Sequence, residues 1–174
     1  IGLVRLRVFR KLSVRPVEIP AVYDHAAQLH RVSVHIFCGG VDDDIRAVAT
    51  TFGGVEHRIE FVRELHGVRY YNDSIATSPT RTIAGLRAFP HKVVLIAGGY
   101  DKHIPFAPLA PEVVEHVKTL ILCGATADAI ERAVVESEAY ETAAERPRIL
   151  RCKDLQEAVD AAYFCAESGD VVTL

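Results

Sequence analysis

The chain has 174 residues, enough for one ordinary domain or one domain with an extension. Hydrophobic residues make up 49% and charged residues 25%, the balance of a soluble globular protein, and a net charge of −3 gives no basic excess for nucleic acid. The longest apolar runs, such as VVLIA (93–97) and TLILC (119–123), are too short to cross a bilayer, so no membrane partner is expected.

Residues 1–40 carry no clean period. IGLVRLRVFRKLSVRPVEIP is apolar and basic, and AVYDHAAQLHRVSVHIFCGG yields no assignable element. Residues 41–55 predict a short linker helix, capped by Asp42 or Asp43 and stopped at Gly53-Gly54. From residue 56 to 174 the pattern becomes regular. RIEFVREL (58–65) alternates apolar and polar residues, and GVRYYND (67–73) follows a His66-Gly67 turn, which predicts a hairpin. PTRTIAGLRAF (79–89) spaces Ile83, Leu86 and Phe89 as one helical face. KVVLIAGG (92–99) and TLILCG (119–124) are short apolar runs stopped by glycine, as buried parallel strands are. LAPEVVEHV (109–117) and ATADAIERAVVES (125–137) predict helices, and RILRC (148–152) predicts a strand. DLQEAVDAAYFCAES (154–168) predicts a helix capped by Asp154 with Glu157 three residues on, and DVVTL (170–174) predicts a last strand. The expected fold is a Rossmann-like α/β domain: a mostly parallel sheet with helices on both faces and an antiparallel N-terminal hairpin. Cys38, Cys123, Cys152 and Cys165 show no CxxC spacing and read as thiols in a reducing cytoplasm. The absence of methionine, even at position 1, and a terminal strand with nothing after it predict a piece of a longer chain.

In such a sheet, ligands bind where strands give way to helices. YYNDSIATSPTRT (70–82) is one such junction. Asp73 can accept from a ribose diol, and the helix beginning near Pro79 offers N–H groups and a positive dipole end. Equally, Asp73, Thr77 and Ser78 can simply cap that helix. A second junction, AGGYDKHIPF (97–106), has Gly98 and Gly99 for close backbone approach and Lys102 for an anion; a glycine turn with a solvated lysine is the alternative. In a third, GGVEHRIEF (53–61), Arg58 can contact phosphate or merely face water, and His57 lacks a partner at metal-ligand spacing. LCGATADAI (122–130) has one glycine and reads as structural.

Together, EHR (56–58), NDS-x-AT (72–77) and AGG-x-D-K (97–102) resemble the C-terminal domain of the D-glutamate-adding Mur ligases, over about Val41 to Leu174. The resemblance implies a bacterial, cytoplasmic, ATP- and Mg²⁺-dependent enzyme of peptidoglycan synthesis. In such enzymes ATP phosphorylates the carboxylate of UDP-N-acetylmuramoyl-L-alanine, and the amine of D-glutamate then displaces the phosphate to form an amide. It implies that His57, Arg58, Asn72 and Asp73 contact ATP, Arg58 at the phosphates and Asp73 at the ribose. Ser74, Thr77 and Lys102 would hold D-glutamate.

The sequence departs from that pattern in places. Ile75 stands where many members have lysine, and EIPAVYDHAAQ (18–28) lacks the His-Asn pair that follows Ile-Pro in the family. That divergence predicts a reading-frame disturbance ahead of Val41. No GxxxxGK[ST] phosphate loop occurs, and the family's central and N-terminal domains and its terminal serine- and phenylalanine-bearing loop find no counterpart. The expected reading is therefore a ligase domain that does not turn over ATP, bind ATP or hold Mg²⁺ alone. A stand-alone α/β binding or interaction module, or a decayed fragment without a role, is the competing reading.

Overall fold

The computed structural model describes residues 54–174, with Ala47, in helical conformation, ahead of them. The expectations for residues 1–40, including the frame disturbance, and the rest of the linker helix lie outside the described residues.

Strands β1 (Glu60–Leu65) and β2 (Val68–Asn72) pair antiparallel. His66 and Gly67 between them have φ of 53° and 77°, the two positive values that a two-residue hairpin turn of the I′ type requires. Helix α1 (Pro79–Leu86) leads to β3 (Val93–Gly98). A 3₁₀ turn (Ala107–Leu109) and α2 (Ala110–His116) lead to β4 (Val117–Cys123). Then come α3 (Ala127–Val135), α4 (Glu138–Thr142), β5 (Arg148–Arg151), α5 (Leu155–Cys165) and β6 (Val171–Thr173). The strand order is β1-β2-β6-β3-β4-β5, and every pairing except β1–β2 is parallel.

The period-two alternation of buried strands splits the core. Leu95, Leu120 and Leu122 face α1 to α3 and pack with Leu86, Val113, Ile130 and Val134. Val94, Ile96 and Ile121 point the other way, onto Ala158 and Ala162 of α5. Among the described residues helices therefore cover both faces, unequally: one face receives several, the other α5 alone, through small residues that let it sit close.

Two local details differ from the sequence reading. Helix α4 was not anticipated; its five residues carry no periodicity, and its start is marked only by Ser137, whose side chain accepts from the Tyr140 N–H at 3.2 Å. At α5, Asp154 caps as expected, accepting from the Glu157 N–H at 2.9 Å, but Glu157 returns its bond to the Lys153 N–H rather than to Asp154.

Ion pairs tie the layers. Lys118 donates to Glu167 and Asp170, both at 2.9 Å, closing the turn between α5 and β6. Arg87, just past α1, is bidentate with Glu112 of α2, and His116 approaches the same carboxylate at 3.5 Å. The Arg87 hydrogen bond holds the Glu112 carboxyl below the usual glutamate range. A lowered carboxyl pKa contributes stability above the unfolded value, near pH 4, that is lost as pH falls through the folded value. Wild type is therefore expected to lose more stability than Glu112→Gln between pH 6 and pH 3, as read from urea midpoints.

Candidate functional site

Strands β2, β6 and β3 point their carboxyl ends the same way, and a cleft of about 270 Å³ opens there. Its polar rim includes Asp73 and Ser74 after β2, Thr77 and Thr82 around the start of α1, and Lys102 in the loop after β3. Its apolar wall includes Leu95, Phe106 and Ile130. Asp73 and Lys102, 29 positions apart in sequence, thus line one cavity.

The rim is built by local hydrogen bonding. Asn72 accepts from the Ser74 N–H at 3.1 Å, the Asp73 carbonyl from Ala76 N–H at 2.7 Å, and the Ile75 carbonyl from Thr77 N–H at 2.8 Å. These tight bonds coil 72–77 into successive turns and leave Ser74 and Thr77 exposed. Arg81 reaches back from α1 to the Ile75 carbonyl at 3.2 Å. Pro79 occupies the first helical position, as expected, but Ser78 makes no side-chain cap bond. Its carbonyl instead accepts from the N–H groups of Arg81 and Thr82, and no acidic residue sits in the first turn. The dipole end of α1 is therefore uncompensated by any side chain of that turn.

Asp73 is only 8% exposed. Its Oδ1 accepts from the Ile59 N–H at 3.1 Å, which ties β2 to the loop ahead of β1. His57, Arg58 and Asn72 do not line the cleft; His57 and Asn72 pair at the entrance to the hairpin, with Arg58 next in the chain. There Asn72 Nδ2 donates to His57 Nδ1 at 2.9 Å, and the His57 carbonyl accepts from the Ile75 N–H at 3.2 Å. Asp73 is where the cleft and the hairpin entrance meet. His57 and Ile59 both have positive φ, 61° and 44°. For a β-branched residue that conformation costs about 1–2 kcal/mol.

The glycines after β3 have a different partner from the one the sequence suggests. At Gly98 (φ 142°) a Cβ would collide with the Cys123 carbonyl, and at Gly124 (φ 76°) one would lie 2.8 Å from the Gly99 nitrogen. The β3 and β4 exits pass in contact, and the Gly99 carbonyl accepts from the Thr126 N–H at 3.2 Å. Close approach here is between backbones, and it fixes the root of the Lys102 loop. Thr126, 3% exposed, lines the cleft too, as do Thr82, Tyr100 and Thr173; the sequence reading did not single these out.

A mostly parallel α/β sheet whose strand ends open into a cleft with a carboxylate, hydroxyls and a lysine at its rim defines an α/β domain of the doubly wound class, its cleft where such sheets take ligands. More narrowly, the chain belongs to the Mur ligase family: the family's glutamate ligase domain, its C-terminal domain, matches residues 57–174. The UDP-N-acetylmuramoylalanine–D-glutamate ligase of Acetivibrio thermocellus is 53% identical over 160 residues, covering 91% of this chain and 34% of that protein. That cover reaches ahead of Val41. The enzyme of the same name from Clostridium kluyveri is 54% identical over 142 residues, covering 79% of this chain and 31% of that protein. The chain thus spans about a third of the length of these curated relatives. Among solved structures, the murein peptide ligase Mpl of Psychrobacter arcticus superposes with a TM-score of 0.55 at 14% identity, over 84% of this chain and 32% of that one. Mycobacterium tuberculosis folylpolyglutamate synthase, complexed with ADP, gives 0.55 at 15% identity, over 81% and 34%. At those identities the likeness is one of fold.

Proposed function

We propose that this chain is the amino-acid- and nucleotide-contacting domain of an ATP-dependent ligase that adds D-glutamate to UDP-N-acetylmuramoyl-L-alanine. The observation that carries the reading is the convergence of Asp73, Ser74, Thr77 and Lys102 on one cleft. D-glutamate brings two carboxylates. Lys102 meets one as a mobile ammonium; the hydroxyls of Ser74 and Thr77 and the uncompensated start of α1 receive the other. The ATP contacts fall to the neighbouring hairpin entrance, with Arg58 at the phosphates, Asp73 toward the ribose, and His57 and Asn72 beside them.

ATP supplies the phosphoryl group that activates the acceptor carboxylate, and this domain's share is to bind, orient and exclude water. Among the described residues no three metal-ligating side chains gather, so Mg²⁺ is assigned to no residue here. Phosphoryl transfer from ATP to a carboxylate depends on placing the transferred group, and the sequence has no GxxxxGK[ST] phosphate loop; we accordingly expect no ATP turnover by the 174 residues alone. ATP hydrolysis by the chain, purified free of any full-length ligase, would refute that.

Calorimetric titration with D-glutamate tests the site. A charge-assisted contact is worth about 1.5–3 kcal/mol, so Lys102→Ala is expected to weaken D-glutamate binding roughly ten- to a hundredfold. L-alanine, with no side-chain carboxylate, should bind far more weakly. Unchanged D-glutamate affinity in Lys102→Ala would remove the lysine from the site and favour an interaction module.

A further inference from the structure

Resting on the reading of Arg58 as a phosphate contact, we propose that Asp73 is a positioning residue for Arg58. Its carboxylate clamps the strained segment that presents the guanidinium. His57 and Ile59, on either side of Arg58, both hold left-handed backbone conformations. Such a segment persists only where its surroundings over-determine it. Four bonds do so. The Arg58 N–H donates to the Val55 carbonyl at 3.1 Å, and the Ile75 N–H to the His57 carbonyl at 3.2 Å. The His57 N–H donates to Glu60 Oε2 at 2.8 Å, in the open, and the Ile59 N–H donates to Asp73 Oδ1 at 3.1 Å, buried.

The last bond is distinct in kind. Donor and acceptor residues are 7% and 8% exposed, so the bond forms with little competition from water. The seat of the carboxylate is also shaped: a Cβ at Gly85 of α1 would stand 2.7 Å from Asp73 Oδ2. The helix thus gives up a side chain at the one place where the carboxylate lies. Because Asp73 also lines the cleft, the cleft and the Arg58 segment share one carboxylate.

A probe without ribose separates this role from ribose binding. Inorganic tripolyphosphate can meet Arg58 but offers no diol. A carboxylate that did not position Arg58 could only repel this anion, so removing it would leave binding unchanged or tighter. The clamp gives the opposite sign: Asp73→Ala and Arg58→Ala should each weaken tripolyphosphate binding about tenfold, with little further loss in the double variant. Asp73→Asn, which keeps an acceptor oxygen, should weaken it less. Hydrogen exchange of the Ile59 amide gives a second readout: about tenfold faster in Asp73→Ala, unchanged in Arg58→Ala. Should Asp73→Ala fail to fold, Gly85→Ala, which displaces the carboxylate from outside, carries both measurements. An unresponsive Ile59 amide, or tripolyphosphate binding unchanged or tightened in Asp73→Ala, overturns the clamp. A responsive amide with no tripolyphosphate binding by wild type keeps the clamp and removes the phosphate reading instead.

Discussion

Alanine at position 98 is expected to destabilise the domain by more than about 4 kcal/mol, a large share of the margin of an ordinary domain. Two effects add. The φ of 142° belongs to a region that glycine alone visits readily. The added methyl would also fall inside the Cys123 carbonyl, which already accepts the Gly99 N–H at 3.2 Å and cannot withdraw without parting β3 from β4. Gly99→Ala is the control. It has a φ of 113° and nothing within 4 Å of its Cβ position, so it carries the backbone penalty without the collision. We expect it to cost about 1–2 kcal/mol. Urea titrations of both variants decide the matter: similar midpoints would mean that the collision is relieved and that the crossing is looser than described.

Leu120→Ala is expected to cost about 2–5 kcal/mol, toward the upper end. Leu120 is fully buried in β4, between β3 and β5, and its side chain faces the helices rather than α5. Collapse around the vacancy would require α2 or α3 to move inward, and each is held: α2 through Val113, α3 through Ile130 and Val134, all buried. Ala158→Gly on the opposite face gives the comparison. It removes one methyl from α5, and should cost about 1 kcal/mol for the residue's helical preference plus a small packing loss. A loss below 1 kcal/mol for Leu120→Ala, by denaturant midpoint, would contradict a rigid core on that side.

Much of the architecture was legible because buried parallel strands advertise themselves. VVLIA and TLILC, each brief and stopped by glycine, read as strands flanked by cover, and His66-Gly67 gives the hairpin turn in two residues. The short helix α4 was not legible, since EAYET is too brief to show a period. The site divided in the same way. Asp73, Ser74, Thr77 and Lys102 stood out because polar residues at strand exits are conspicuous, and all four line one cleft. That His57, Arg58 and Asn72 stand outside it depends on the fold of the 57–59 segment, where left-handed conformations at a histidine and an isoleucine have no sequence signal. Thr126 enters the cleft from the turn after β4 and Thr173 from β6, through neighbours remote in sequence. The reading of Gly98 and Gly99 had the right physics and the wrong partner: glycine permits close approach, but the neighbour is another stretch of main chain.

The place of β6, between β2 and β3, bears on how the molecule is made. During synthesis the hairpin emerges first and the β3–β4–β5 block later, and neither can pair with the other, because the strand that joins them is translated after both. Until Val171–Thr173 leave the ribosome, two strand edges stand open to other chains, that of β2 and the apolar one of β3. A nascent form of this domain should therefore depend on chaperones until β6 is made, then join its two parts in one late step.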